Sequence, residues 1–377
     1  MTPLISTSFS NPWHGGVWCS CCPPLPGTRA AFAVREAATK RAAAARKSGS
    51  KSKTKAKAKR APAKASPRRI DVHHHIAPAV YIRAMETLGL AGENHWQNEV
   101  YKGWSPAVAI ETMDEGGTQT AITTVTSGAA IAAHPHKTRI ARECNEYAAN
   151  LKRDYPGRFG HFATLPMPDV KASLLEIEYA LDVLKLDGVD MRTSYGMQYL
   201  GDKAFAPIYA ELNRRKAIVY SHPHEPRALQ SPVPGVPGAT IEFCTDTTRA
   251  IASVLFGGIS LRYPGVRFIF SHGGGTLPFL IERFTRLAQR PEYKNAFPKG
   301  VLSEIRRFYY EVAQAAHPGA LSSLTQMVNV SQILFGTDFP YRTSKEIGKG
   351  LVDFGFNATE LAAINHDNAA KLFPQFK

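Results

Sequence analysis

Ile70-Asp71-Val72-His73-His74-His75-Ile76 reads as a short strand of mixed apolar and polar residues, and the stretch 80–90 behind it has amphipathic helical spacing. The same strand-then-helix unit recurs down the rest of the chain. Beyond an irregular insertion containing Trp96 and Trp104, 107–114 is helical and the β-branched run 120–126 is strand-like. Further strands are expected over 158–165, 188–193, 217–221, 266–271, 308–312 and 332–335. Helical spacing fills 137–154, 174–185, 205–215, 247–263, 277–289, 321–328 and a closing stretch 359–373, with a Pro-rich loop at 231–238. Strands that alternate with helices pair in parallel through right-handed crossovers. Eight such units between residues 70 and 377 match the count and size of a closed (β/α)₈ TIM barrel, an α/β fold.

Upstream of Ile70 the composition changes. The 377-residue chain carries 46 Lys and Arg against 31 Asp and Glu, a formal charge of +15. Residues 1–69 hold 15 of the basic side chains and one acid, Glu36, so 70–377 keeps 31 basic against 30 acidic and is close to neutral. A charge of +15 spread over a fold would point to nucleic acid or an anionic surface. Concentrated in a tail, it says nothing of the folded part. Residues 37–69 are almost wholly Ala, Lys, Arg, Ser, Thr, Gly and Pro, and the run Lys51, Lys53, Lys55, Lys57, Lys59, Arg60 contains no apolar residue larger than Ala. Such a segment repels itself and buries too little surface to offset the entropy of ordering. A disordered basic tail, 1–69, ahead of a barrel, 70–377, is therefore expected. The functional reading of the tail is weak, sequence-independent binding of nucleic acid or other polyanions, without base stacking because no aromatic residues interleave the lysines.

Cys19, Cys21 and Cys22 lie in the tail, and only Cys144 and Cys244 lie in the body, on helical stretches. This is no disulfide framework and fits a reducing compartment. No apolar run reaches transmembrane length, and the first thirty residues lack the basic start and clean apolar stretch of a secretory signal. A cytoplasmic protein that does not engage a membrane is the expectation.

Four groups of polar residues fall where strands end, at the face that carries the active site in such barrels. Alternate strand residues share a face, so His73 and His75 can both point to the barrel axis while His74 turns toward the helices. Two imidazoles so placed can chelate one divalent ion, and Asp71 can orient a ligand from behind. Ser221-His222-Pro223-His224 ends the fifth strand, Ser271-His272-Gly273-Gly274-Gly275 the sixth, and Gly336-Thr337-Asp338-Phe339-Pro340 the eighth. His73, His75 and His222 supply neutral nitrogen ligands and Asp338 an anionic oxygen, a set that accepts Zn²⁺ first and Mn²⁺ as the alternative. His272, ahead of three glycines, is assigned as the general base. His224, two residues beyond His222, is a candidate substrate contact weighed against a structural role. His161, within the third strand, reads as an interior or flank residue.

These residues resemble the amidohydrolase-related decarboxylases, the group that contains aminocarboxymuconate-semialdehyde, γ-resorcylate and 6-methylsalicylate decarboxylases. The resemblance runs from about Arg69 to the end. It rests on Ile70-Asp71-Val72-His73-His74-His75-Ile76-Ala77-Pro78, Ser221-His222-Pro223, His272-Gly273-Gly274-Gly275 with Pro278-Phe279, Gly336-Thr337-Asp338-Phe339-Pro340 and Asn368-Ala369-Ala370-Lys371-Leu372-Phe373. It implies a barrel of the metal-dependent hydrolase type, with His73, His75, His222 and Asp338 on the metal and His272 in acid–base chemistry. It also implies that Arg283 matches a position that holds a substrate carboxylate, with Arg249 and Arg192 as further candidates, and it favours a homodimer.

Two departures narrow the substrate. Val100-Tyr101-Lys102-Gly103 stands upstream of Trp104 where the semialdehyde enzyme places a second carboxylate-binding arginine, and His224 stands where it has a tryptophan. Both argue against a muconate dicarboxylate. Arg192-Thr193-Ser194-Tyr195-Gly196 looks more like the 6-methylsalicylate branch, so a hydroxybenzoate-type acid is the expected substrate. The expected reaction is metal-dependent, non-oxidative decarboxylation: the metal binds the carboxylate and a neighbouring oxygen, and Asp338, His272 or metal-bound water delivers the proton. No organic cofactor is expected, since Gly273-Gly274-Gly275 lacks the spacing of a dinucleotide signature. The rival is a mononuclear metal hydrolase of a lactone, amide or ester. A dinuclear hydrolase is disfavoured, because Val189-Asp190-Met191-Arg192-Thr193 at the fourth strand holds no bridging lysine and Lys185 precedes it. A third reading, polyanion binding through the tail with the barrel dispensable, predicts salt-sensitive DNA binding lost with residues 1–69.

Overall fold

A computed structural model describes residues 68–89, 103–125, 128–224, 233, 236–293 and 295–377. Nearly all of the basic tail, with Cys19, Cys21 and Cys22, lies outside the described residues, as do Trp96 and part of the Pro-rich loop.

The strands are β1 (Arg69–Ile76), β2 (Thr118–Val125), β3 (Phe159–Thr164), β4 (Gly188–Arg192), β5 (Ile218–His222), β6 (Arg267–Phe270), β7 (Tyr309–Glu311) and β8 (Ile333–Leu334). They follow one another around a single sheet, and each neighbouring pair is parallel. The sheet closes on itself: Val72 N–H donates to Phe335 O (3.0 Å), His75 N–H to Phe339 O (2.8 Å), and His74 bridges Phe339 in parallel. This is a TIM barrel. Helices cover its outer face, which is why β1 and β3 are buried along their whole length.

β1 begins one residue before the expected boundary. Arg69 is buried and its Nε donates to Asn365 Oδ1 (2.9 Å), so the barrel takes in the last basic residue of the tail. Farther along, Asp71 pairs with Ala121 but His74 with Thr123, a register slip that inserts an extra residue into β1. Such a bulge changes which residues face inward. Below it, Ile70 and Val72 pack into the barrel; above it, His73 and His75 do.

The barrel interior is apolar at its lower end. Ile70, Val72, Ile122, Phe162, Ile218, Tyr220, Ile269 and Leu334 meet Phe373 and Phe376 of the C-terminal segment, which stops the amino-terminal mouth of the barrel. Phe162 stacks on Tyr220 at 5.1 Å and meets Phe373 edge-on at 5.8 Å. The polar groups His73, His75, His222 and Asp338 gather at the other end, the carboxyl ends of the strands.

Three elements depart from the expected pattern. The helix Gly238–Phe256 starts well ahead of 247. Its first turns carry buried acids, Glu242 and Asp246, and Asp246 accepts hydrogen bonds from Thr193 Oγ1 and Tyr199 Oη, so polar residues face inward there. The short hairpin Ser194–Tyr195 with Gln198–Tyr199, unforeseen in the pattern, follows β4 and rests on that helix. The helix Ser344–Phe354 was also unexpected, because Gly348 and Gly350 lower helical propensity. Gly348 is there because a Cβ would strike the Arg69 guanidinium. No helix among the described residues is long and apolar enough to cross a membrane.

If the C-terminal plug carries the barrel floor, Phe373→Ala opens a cavity under the sheet and lowers stability by about 3–5 kcal/mol. Urea denaturation followed by circular dichroism measures it, and an unchanged midpoint would show that the plug carries nothing.

Candidate metal centre

The bulge in β1 brings His73 and His75 to the rim, β5 ends on His222, and the turn after β8 carries Asp338. One ligand atom from each of these four residues lies within 4.8 Å of the others, and all four side chains are buried. His73 Nε2 is 3.1 Å from His75 Nε2, and Asp338 Oδ1 is 3.1 and 3.0 Å from the same two nitrogens. The second nitrogen of each ring is engaged elsewhere: His73 Nδ1 with Glu311 Oε1 (2.8 Å), His75 Nδ1 with Thr124 Oγ1 (3.0 Å) and His222 Nδ1 with Pro223 O (2.6 Å). His222 Nε2 is buried without a partner. Three imidazole nitrogens and a carboxylate oxygen thus converge in a buried cluster, with two nitrogens crowded at 3.1 Å. That donor set fits one divalent cation of the zinc or manganese kind.

Electrostatics agree with the geometry. Burial alone would pull the His73 imidazolium down, but Glu311 and Asp338 on its two nitrogens outweigh it and hold the pKa up at about 10. Burial pushes His75 down to about 4, against its hydrogen bond to Asp338 and with help from the His73 and Arg192 charges. Burial also holds His222 well below the ordinary imidazole range, reinforced by Arg192. For Asp338 burial acts upward, yet the His73 charge, the nearby His272 imidazole and the hydrogen bond with His75 keep the carboxylate well below its usual value. Neutral imidazole nitrogens at His75 and His222 beside an ionised carboxylate are the protonation states that a cation requires.

Asp71 stands behind the ligand residue His73 and meets it through the backbone. Its Oδ1 accepts from the backbone N–H of His73 (3.0 Å) and of Thr337 (3.0 Å), and its Oδ2 from Thr337 Oγ1 (2.6 Å). His74 Nδ1 lies 3.2 Å from Oδ2, and its ring stacks on Phe339 outside the barrel. Asp71 therefore orients two pieces of backbone and the His74 ring, but none of the rings of the cluster. The partner that does hold a ligand ring is Glu311, which nothing in the sequence pattern singles out within the apolar run 308–312. Besides His73, its carboxylate takes the His272 N–H (2.7 Å) and the Ala313 N–H (2.6 Å). Gln314, also unforeseen, donates from Nε2 to Asp338 Oδ2 (2.9 Å).

His272 stands over the cluster. Its ring centroid is 5.2 Å from that of His73 and 5.6 Å from that of His222, and its Nε2 is 3.7 Å from Asp338 Oδ2. Neither ring nitrogen makes a hydrogen bond, so the imidazole is available to a substrate. The three glycines behind it all have positive φ. At Gly275 a Cβ would strike the Cys244 carbonyl, so the turn that aims His272 has room for glycine only.

The remaining expected residues separate. His224 Nε2 lies 2.8 Å from Ser194 O and 3.2 Å from Ser194 Oγ, which ties the end of β5 to the hairpin. His161 faces outward, with Nδ1 2.8 Å from Thr123 Oγ1. Arg249 sits on the helix Gly238–Phe256 beside Glu242 (3.4 Å) and Asp246 (3.9 Å). Arg283 is not brought to the cluster: it is exposed on the outer helix Leu277–Ala288, whose buried contacts come from Leu277 and Phe284. The arginine that does reach the rim is Arg192 at the end of β4, buried beside Asp190 (2.8 Å). Burial raises Asp190 to about 6, against the pull of that guanidinium.

Three histidines and an aspartate at the carboxyl rim, with a free histidine above them, define a metal-site barrel enzyme. The chain belongs to the amidohydrolase family, whose pattern matches residues 70–375. It is 37% identical over 330 residues to a decarboxylase of Aspergillus niger, covering 82% of this chain and 88% of that protein. To a 6-methylsalicylic acid decarboxylase of Aspergillus aculeatus it is 36% identical over 327 residues, covering 82% of this chain and 97% of the other. A solved 5-carboxyvanillate decarboxylase of Novosphingobium aromaticivorans, with bound manganese, shares the fold at a TM-score of 0.71 and 20% identity, covering 82% and 97% of the two chains.

Replacing Glu311 by Gln removes the charge behind His73 and sets an amide N–H₂ against backbone donors. Partners of this kind support metal affinity by about 10–100-fold. Competition with a chromophoric chelator should show a loss of that size in a folded protein; unchanged affinity would remove Glu311 from the site.

Proposed function

We propose that the chain catalyses the metal-dependent, non-oxidative decarboxylation of a small hydroxyaromatic carboxylic acid of the hydroxybenzoate class. The observation that carries this reading is the 36% identity to a 6-methylsalicylic acid decarboxylase over nearly its whole length, in a chain whose rim assembles a complete set of ligands. His73, His75, His222 and Asp338 hold one divalent cation, with Zn²⁺ and Mn²⁺ as the two ions to be loaded. When bound, it supplies Lewis acidity toward the carboxylate and an adjacent oxygen. The carbon–carbon bond to the carboxylate breaks, its electron pair stays on the ring carbon, CO₂ leaves and a proton takes its place. His272 and Asp338 are the groups placed to hold and move that proton, because they adjoin one another and His272 has no competing hydrogen bond. No oxidant or organic cofactor enters this balance. Hydrolysis of a lactone, amide or ester at the same centre is the competing reading, favoured by the family's name alone. The site takes a small-molecule acid as its partner.

The test loads the purified full chain with Zn²⁺ or Mn²⁺ and follows CO₂ release from a panel of hydroxybenzoates, 6-methylsalicylate included, and muconate-type acids. Release that falls by about 10²-fold or more in both His272→Ala and Asp338→Ala supports the proposal. Turnover of lactones or amides without CO₂ release from any acid would replace it with the hydrolase.

A further inference from the structure

The end of β7 and the turn after it carry none of the four ligands, yet this segment holds His73, His272 and Asp338. Glu311, the last residue of the strand, meets His73 Nδ1 (2.8 Å) and the His272 N–H (2.7 Å). A little farther on, Gln314 donates from Nε2 to Asp338 Oδ2 (2.9 Å). β7 lies between β6, which leads to His272, and β8, which leads to Asp338, so the amide reaches Asp338 from the strand that separates the two. Gln314 is half-buried, and its φ of 58° lies in the left-handed region that glycine adopts without cost. A glutamine at that position bears backbone strain that glycine would relieve. Its side chain therefore does something that the turn by itself does not require.

The two oxygens of Asp338 have separate surroundings. Oδ1 is 3.1 Å from His73 Nε2 and 3.0 Å from His75 Nε2, inside the ligand cluster. Oδ2 accepts from Gln314 and lies 3.7 Å from His272 Nε2. A carboxylate beside a divalent cation binds through one oxygen or turns to bind through both. Turning Oδ2 toward the cation would draw it away from the Gln314 N–H, so that hydrogen bond opposes the second mode. The amide is neutral: it fills one acceptor site of Oδ2 and neither takes up nor releases a proton, which leaves the other site open. We propose that Gln314 is a positioning residue that restricts Asp338 to one-oxygen coordination and keeps Oδ2 beside His272 for the proton of the reaction. Its hold on coordination follows from the geometry alone, whereas its service to the proton rests on the decarboxylase reading.

The experiment loads the full chain with Co²⁺, whose visible absorption reports coordination number, and compares the wild type with Gln314→Gly and Gln314→Leu. Glycine relieves the strained φ, so that variant should fold at least as well as the wild type. Leucine keeps bulk and strain and loses only the donor. Circular dichroism and metal content check both. Each variant should hold its metal, while the absorption falls by about twofold or more as the second oxygen raises the coordination number. In turnover of the acid that the wild type decarboxylates, kcat should fall by about 10–100-fold. KM should stay within about threefold, because the substrate's own contacts are untouched. Wild-type spectra in both variants would overturn the proposal, whatever the turnover. Altered spectra with an unchanged kcat, or a loss confined to KM, would overturn the service to the proton. A wild type that releases no CO₂ from any acid would overturn the decarboxylase, and the cobalt spectra would still decide whether Gln314 governs the coordination.

Discussion

The barrel seam turns on one buried carboxylate. Asp71 accepts from His73 N, Thr337 N and Thr337 Oγ1, with His74 Nδ1 at its fourth position, and it is 1% exposed. Two acceptor oxygens with about four lone-pair sites are thereby filled. The donors come from both sides of the seam, so the same group that shapes the bulge of β1 also fixes the turn after β8. The bulge aims His73 and His75, and the turn aims Asp338. Without Asp71 the strands could still pair, but ligands from the two ends of the chain would lose their common reference.

Above that seam the site is organised by charge. Asp338, Glu311 and Asp190 are buried acids, and Arg192 is the buried permanent cation beside them. The imbalance is absorbed at His73, whose pKa is held at about 10 between Glu311 and Asp338. A divalent cation in the cluster would take over the role that this proton plays beside three buried acids. The neutral histidines, His75 and His222, lie on the side nearer Arg192, where a further positive charge is least welcome.

Much of this was legible in the chain because its carriers are local. Each strand–helix unit spans a few dozen residues, and His73-His74-His75, His222, His272 and Asp338 each stand where a strand stops. What was hidden depends on contacts between distant residues. Strict alternation puts Ile70, Val72 and His74 on one face, and only the register slip against β2 sets Val72 and His73 both inward. Glu311 is 238 residues from the histidine it holds, inside a run that reads as apolar strand. The resemblance put Arg283 ahead of Arg192, and only the fold shows that Arg283 is exposed on an outer helix while Arg192 is buried at the end of β4. The helix Ser344–Phe354 was obscured by a glycine whose purpose is to make room for Arg69, nearly three hundred positions away.

The rim is also where backbone strain collects. Among the described residues, five other than glycine have positive φ, and three of them, His272 (55°), Gln314 (58°) and Asp338 (64°), lie at the cluster. Each such residue costs about 1–3 kcal/mol. Asp338 is restrained by its own N–H to His73 O (2.8 Å) and, through Thr337, by Asp71. His272 is restrained by its N–H to Glu311 (2.7 Å). Hydrogen bonds to charged acceptors contribute about 1.5–3 kcal/mol apiece, so Asp71 and Glu311 together offset the strain they impose. Asp71 and Glu311 are then the reason Asp338 and His272 hold their direction. Beneath them the apolar floor is filled by Phe373 and Phe376, so these strained residues rest on a packed layer of the barrel.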